Sequence, residues 1–345
     1  MTADRPVIAV VGNDVPRQLV LAAGARPHRL TGSWGEPDAE AQELLGATDA
    51  TAAHILDELR RDDHGFAGVV VCSDAHAHVR LFYALRATGA SLPVHLLDLP
   101  REDSRAARRF GRFQLDRLID FCTEVTGRRP ERDALREAAA AERRLGEAID
   151  ALRARRRAVP PQCTGAEALT AYLAALRLDP VDASAVIDAA RSTADGKAVR
   201  VHMTGSNHPD AAIYRELEAR GCVVTGEDHD TGDGAWLGVA VDSGDLATVI
   251  DGLLDAHFAR TGASPTEYAA ARAALTVATS ERDRADAVAA LIRDLDEAPL
   301  WDVADQSEGL AGRGIRLVVR SRVRGGEAID AAAELADELR EAVAA

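Results

Sequence analysis

The chain of 345 residues carries 56 acidic and 41 basic side chains, for a formal charge of −15, and 47% of its residues are apolar. This length and composition suit two folded domains with buried cores, and the negative charge argues against nucleic acid and anionic membranes as partners. The sequence has no basic leader segment and no run of about 18 apolar residues, which predicts a cytoplasmic protein without a membrane span.

A unit of apolar strand, loop, amphipathic helix, glycine and further strand recurs along the chain. In PVIAVVGNDVPRQLVLAAGARPHRL, Pro16 begins the predicted helix and Gly24 ends it. In KAVRVHMTGSNHPDAAIYRELEARGCVVTGEDHD, the predicted helix runs from Pro209 to Gly221, and a third helix ends at Gly314 before the strand IRLVV. Strands that alternate with helices are typical of parallel sheets. We therefore expect an α/β fold with two Rossmann-like parallel-sheet lobes.

A stretch without strand signals separates the two lobes. Its long helical periodicity is broken at AVPPQCTG, and one of its helices ends in the basic run RARRR, where cations suit the helix dipole. The predicted division is an N-terminal α/β lobe (1–100), a helical linking segment (101–197) and a C-terminal α/β lobe (198–345).

Four polar loops follow predicted strands: GNDVP, CSDAHAHV, TGSNHP and GEDHDTGDG. Ligands of open α/β sheets bind beyond the carboxyl ends of the strands, so these loops should meet at one crevice. In the last loop we predict catalytic roles for Asp228, His229 and Asp230, whereas Glu227 and Asp233 are interpreted as parts of a solvated turn.

The loop TGSNHP precedes a predicted helix, whose free backbone N–H groups attract anions. The structural alternative is a helix cap formed by Ser206, Asn207 or His208. The residues predicted to bind the substrate or an anion are Thr204, Gly205, Ser206, Asn207 and Asn13.

Several segments in order resemble the D-component of 2-hydroxyacyl-CoA dehydratases and benzoyl-CoA reductases. They are DVPRQLVLAAGARPHRLTG, GFAGVVVCSDAHAHVRLFYALR, LLDLP, CTEVTGRRPERDALREAAAAERRL and VHMTGSNHP with LEARGCVVTGEDHDTGD. The resemblance implies two α/β lobes, a heterodimer of related subunits, and a [4Fe-4S] cluster held by cysteines. It also implies an ATP-driven activator that delivers electrons to an acyl-CoA substrate.

The sequence departs from this family at the expected cluster cysteines. No cysteine occurs between residues 41 and 59, and Cys72 lies three residues before the expected "CD" pair. The remaining matched positions hold Ala75 and His76, Asp230, and Ala304 and Asp305. Because clusters require several thiolates, we predict no [4Fe-4S] ligands and no cofactor on this chain, with the cluster in a partner subunit.

The leading hypothesis is a subunit that is not catalytic alone and that completes or stabilises the acyl-CoA site of a cluster-bearing homologous partner. The alternatives are a homodimer, a cluster with partner-supplied ligands, and a stand-alone enzyme or acyl-CoA-binding protein with a rebuilt crevice that holds a mononuclear metal. The candidate metal ligands are Cys72, His76, His78, His229 and Asp230.

Overall fold

The computed structural model describes residues 5–61, 63–89 and 91–344, which contain two sheets of four parallel strands each. The strands are β1 (Val7–Val11), β2 (Arg26–Leu30), β3 (Gly68–Cys72), β4 (Val94–Leu97), β5 (Val199–Gly205), β6 (Cys222–Glu227), β7 (Ala287–Arg293) and β8 (Arg316–Val323). The sheets share one strand order, β2-β1-β3-β4 in the first lobe and β6-β5-β7-β8 in the second. The predicted α/β fold of two parallel-sheet lobes is confirmed.

Helices cover both sheets and connect them. They are α1 (Arg17–Ala22), α2 (Ala39–Leu45), α3 (Ala50–Arg60), α4 (His76–Ala87), α5 (Arg105–Thr126), α6 (Arg132–Arg157), α7 (Gly165–Ala175), α8 (Pro180–Ala189), α9 (Ala212–Ala219), α10 (Leu246–Phe258), α11 (Ala269–Arg282), α12 (Ala298–Ala311) and α13 (Ala328–Ala344). Within the described ranges, no helix combines the length and the apolar character that a membrane crossing requires.

Both faces of the first sheet are buried. Along β1, Ile8 and Val10 face the core formed with α1, α5 and α10, whereas Ala9 and Val11 face the core formed with α2, α3 and α4. Successive side chains of a strand point to opposite faces, so a strand buried on both sides reads as an uninterrupted apolar run. This explains why VIAVV and GVVVC gave clear strand signals.

Helix α10 packs against the first lobe although it follows β6 in the chain. Its residues Val249, Ile250, Leu253 and Leu254 belong to the same buried cluster as Ile8. Helix α10 thus falls within the predicted C-terminal lobe (198–345) by sequence but packs in the core of the first lobe. The three-part division of the chain remains a prediction.

The 26-residue helix α6 contacts the cores of both lobes. Near its N-terminus, Leu135 and Ala138 pack in the first lobe. Further along, Ile149 and Leu152 pack in the second lobe. At 1.5 Å per residue the helix is about 39 Å long, which is enough to bridge the two sheets.

The basic end of α6 forms a buried ion cluster with the loop after β6. The guanidinium of Arg156 donates to both carboxylate oxygens of Glu227, and neither side chain is exposed. Asp233 accepts from Arg153 and Arg157 as well. The interpretation of Glu227 and Asp233 as a solvated turn is therefore wrong, because the cations that neutralise them lie about 75 residues away in the chain.

The expected start of one helix is also wrong, and one strand was not predicted. The helix after β5 begins at Ala212 and not at Pro209, because residues 206–211 form a loop and bends. The strand β7, with the sequence AVAALIR, gave no clear strand signal because half of its apolar residues are alanines, which also suit helices.

Replacing Arg156 by Met should destabilise the protein by about 3–5 kcal/mol, because Glu227 and Asp233 would lose a buried cation. Urea unfolding measures this loss. The matched control is Arg143→Met, which breaks an exposed pair between Arg143 and Asp242 and should cost less than about 1 kcal/mol. Equal losses in the two variants would contradict the role assigned to the cluster.

Candidate functional site

A cavity of about 580 Å³ lies between the lobes, at the carboxyl ends of β3, β5, β6 and β7. The first lobe contributes residues 47–51 and 75–80. The second lobe contributes residues 204–207, 228–230, 262–276 and 293–302, with gaps. The two sheets share one strand order. In each sheet the helical connections change direction beside the first strand of the lobe, β1 or β5.

Each of these first strands ends at a glycine with a left-handed backbone. Gly12 has a φ of 96° and Gly205 a φ of 102°, values that other residues rarely adopt. A Cβ atom on Gly12 would lie 2.5 Å from Asp74 Oδ1, and one on Gly205 would lie 2.5 Å from the carbonyl oxygen of Leu291. These glycines allow the neighbouring strand to approach closely in each lobe.

Asp230 lines the cavity and binds groups from both lobes. Its carboxylate accepts from the Arg29 guanidinium and, at 3.0 Å, from Asn207 Nδ2. Burial favours a higher pKa, but Arg29 and Asn207 outweigh it and lower the pKa of Asp230 to about 2. Asp230 is therefore a carboxylate at neutral pH.

Asn13 lies behind the cavity and does not line it. Its Oδ1 accepts from Arg29 Nη1 and from the Trp236 amide, and its Nδ2 donates to the Gly234 carbonyl at 2.8 Å. These bonds join the two lobes.

Asp228 faces the cavity beside a buried histidine. Its Oδ2 accepts from Thr204 Oγ1 at 3.0 Å and from Thr276 Oγ1 at 2.5 Å, and it lies 3.6 Å from His202 Nε2. His202 Nδ1 lies 3.0 Å from Asp283 Oδ2. Burial favours a lower pKa for His202, but the two carboxylates raise it to about 9, so this imidazole is protonated at neutral pH.

His229 uses both ring nitrogens in hydrogen bonds within the protein. Nε2 lies 2.7 Å from the Tyr214 hydroxyl and Nδ1 lies 3.1 Å from Thr231 Oγ1. Burial lowers the pKa of His229 despite the nearby carboxylates, so the ring is neutral at neutral pH. His229 is among the residues that line the cavity.

The TGSNHP loop contributes Thr204, Gly205 and Asn207 to the cavity wall. Ser206 is buried instead, where its Oγ donates to Asp296 Oδ2 at 2.5 Å and accepts from the Arg293 amide at 2.9 Å. No side chain of this loop caps α9, whose N-cap residue is Ala211.

The sequence analysis missed the loop after β7, which supplies one wall of the cavity. Arg293 forms a two-pronged ion pair with Asp49 of the first lobe, at 2.9 and 2.8 Å. Burial and the neighbouring Asp49 raise the pKa of Asp296 to about 6. The polar string RDLDEAP after an apolar run was the signal available in the sequence, once AVAALI is recognised as a strand.

The positions that the resemblance assigns to cluster cysteines meet at this cavity in three of four cases. Residues 47–49 and 51, Ala75 with His76, and Asp230 all line it, whereas Ala304 and Asp305 do not. The four cysteines of the chain are all buried, and none is among the described residues that line the cavity. Since several thiolates are needed to hold an iron–sulfur cluster, these side chains do not fit one.

The predicted ligands of a mononuclear metal ion do not all lie at the cavity. His76, His78, His229 and Asp230 line the cavity, but Cys72 is fully buried, and burial together with nearby carboxylates raises the pKa of its thiol. Over the described ranges, no group of three or more His, Cys, Asp or Glu side chains could hold a metal ion.

The fold defines a two-lobed α/β protein with a cavity at the carboxyl ends of its strands. Comparison with known families gives a match over residues 13–292 to the family described as 2-hydroxyglutaryl-CoA dehydratase, D-component. The match spans most of the chain, so the protein belongs to this family. No curated protein gives a significant match.

The ion pairs of His202 should make the free energy of unfolding fall as the pH becomes alkaline. The pKa of His202 is about 9 in the folded protein and 6.5 in the unfolded chain, a difference that stabilises the fold by ~3 kcal/mol. This stabilisation is fully present below pH 6.5 and is lost as the pH rises through 9. Urea unfolding from pH 6 to pH 10 should show this decline in the wild type and not in His202→Asn.

The matched control for this prediction is His76→Asn, because His76 is exposed and forms no ion pair with a described residue. It should keep the wild-type decline. A His202→Asn protein with the same pH dependence as the wild type would contradict the charged state assigned to His202.

Proposed function

We propose that this chain is a subunit of a 2-hydroxyacyl-CoA dehydratase-like or benzoyl-CoA reductase-like complex that holds no [4Fe-4S] cluster of its own. It completes or stabilises the acyl-CoA site of a cluster-bearing homologous partner. One observation carries this proposal: the segment in which the resemblance expects a first cluster cysteine and the matched position Asp230 line a single cavity. They present ion pairs there, Asp49 with Arg293 and Asp230 with Arg29. The chain therefore has a cavity at these positions, but the side chains there lack the thiolates that a cluster requires.

The features of the cavity support an acyl-CoA ligand. Its volume lies within the range of about 300–1,000 Å³ that is common for small-molecule sites. Two aromatic side chains at the rim, Trp301 (75% exposed) and Tyr268 (74% exposed), offer flat apolar surfaces. Arg80 also lines the cavity, where its guanidinium donates to the carbonyls of Leu45 and Ala47.

We assign the polar groups by their position. Asp228, His229 and Asp230 face the reacting part of the ligand, and Thr204, Gly205 and Asn207 bind its polar groups. Ser206 and Asn13 support the site from behind, since their hydrogen bonds run to Asp296 and to the Arg29 side chain.

A second candidate function is a stand-alone enzyme or acyl-CoA-binding protein. The observation in its favour is that both lobes of one chain enclose the cavity and supply titratable groups, including His78 and Asp296. In this case the protein acts as a monomer or a homodimer without a cluster-bearing partner.

Co-expression with a cysteine-containing homologous subunit tests the leading proposal. We expect a heterodimer that co-purifies, iron in proportion to the partner alone, and dehydratase activity that drops when this chain is omitted. A chain that stays alone and leaves the activity of the partner unchanged would refute the companion role and favour the second candidate.

Arg80→Ala should weaken binding of 2-hydroxyglutaryl-CoA by about tenfold, equivalent to ~1.4 kcal/mol, because an anionic ligand would lose a cation at the cavity mouth. Isothermal titration calorimetry measures the dissociation constant. The matched control is Arg86→Ala on the same helix, whose guanidinium lies over the Phe82 ring outside the cavity. Equal affinities in both variants would exclude Arg80 from the site.

A further inference from the structure

His78 and Asp74 form a hydrogen-bonded pair on the wall that the first lobe gives to the cavity. His78 Nδ1 lies 2.7 Å from Asp74 Oδ1, and the Asp74 side chain is 4% exposed. His78 lines the cavity and its side chain is 17% exposed. Since Nδ1 is engaged, Nε2 is the ring nitrogen that remains for a ligand, and it has no hydrogen-bond partner among the described residues.

Three elements fix Asp74 behind the imidazole. The Asn13 amide donates to Asp74 Oδ2 at 2.5 Å, and Ser264 Oγ donates to the Asp74 carbonyl at 3.2 Å. Gly12 leaves room for the carboxylate, because any Cβ there would collide with it. The orientation of His78 is therefore set by the ends of β1 and β3 and by the loop before α11.

Two other histidines near the cavity, His229 and His202, are bonded differently. His229 has partners on both ring nitrogens, and His202 lies between Asp283 and Asp228. His78 alone among these three has a carboxylate on one nitrogen and the cavity on the other side, which is the arrangement that orients an imidazole for proton transfer.

The charges around His78 favour its protonated form. Burial favours a lower pKa, but Asp74 and, more weakly, Asp230 outweigh it, while Arg29 opposes them, so the pKa of His78 is raised above the ordinary value of 6.5. An imidazole held between a carboxylate and a cavity can accept a proton at Nε2 and return it.

We propose that His78, positioned by Asp74, is an acid–base catalyst that moves a proton between its Nε2 and the carbon next to the carbonyl of an acyl thioester bound in the cavity. This activity belongs to the chain itself and requires neither a cluster nor a partner. It rests on the proposed function only in taking acyl-CoA as the ligand.

The proton transfer is balanced without an oxidant or a reductant. The α C–H bond breaks as an N–H bond forms at Nε2, and the electron pair of the carbon moves into the thioester carbonyl. The imidazolium is stabilised by the Asp74 carboxylate. Return of a proton to the same carbon restores the thioester, and in heavy water the returned atom is a deuteron.

The test uses the isolated chain with butyryl-CoA in D₂O, and mass spectrometry follows deuterium at the α-carbon. The wild type should exchange well above the buffer rate, and His78→Asn should lose about 100-fold or more of that rate. Asp74→Asn should lower the rate and shift its pH profile towards lower pH, because the imidazole loses the charge that raises its pKa. The control is His54→Asn, which should keep the wild-type rate, because His54 does not line the cavity and its Nε2 lies 2.9 Å from the Gly35 carbonyl.

Calorimetry with butyryl-CoA separates the possible outcomes. Binding without exchange in the wild type, or unchanged exchange in a folded His78→Asn variant, overturns the role of His78 and leaves the acyl-CoA site in place. Absence of binding of butyryl-CoA and of 2-hydroxyglutaryl-CoA to the isolated chain also overturns the catalytic role of His78, whereas the companion role is decided separately by the co-expression experiment. An NMR titration in which the pKa of His78 is the same in the wild type and in Asp74→Asn would overturn the positioning role of Asp74.

Discussion

The buried pairing of the α6 arginines with Glu227 and Asp233 is the interaction on which the site depends. Burial favours a higher pKa for Asp233, but Arg156, Arg153 and Arg157 lower it, so the carboxylate stays charged inside the protein. Breaking one partner of such a pair leaves an uncompensated charge. Since α6 also packs in both cores, this cluster fixes the loop that carries Asp228, His229 and Asp230 relative to both lobes.

The shared strand order of the two sheets explains where the cavity lies. In each lobe a left-handed glycine ends the first strand, and the neighbouring strand brings polar residues to the same edge. The first lobe supplies the pair of Asp74 and His78, and the second supplies the network of Arg293, Ser206 and Asp296. The strand ends of the two lobes therefore line one cavity.

The family resemblance and the side chains of this cavity imply different ligand groups. The family resemblance implies a thiolate-bound cluster, whereas the cavity offers ion pairs and hydrogen-bonded imidazoles. Ion pairs such as Asp230 with Arg29 hold their carboxylates in place and leave few free donor atoms for a metal.

Apolar runs and helix-ending glycines are local signals, so the α/β class, most strands, the long helices and three loops of the site could be predicted from the sequence. Strand β7 could not, because its alanines suit either secondary structure, and Arg293 and Asp296 were missed with it. The burial of Glu227 and Asp233 and the contact of His78 with Asp74 became visible only in the folded chain. Partners such as Arg156 and Glu227 are 71 residues apart, and no local pattern encodes which charges meet after folding.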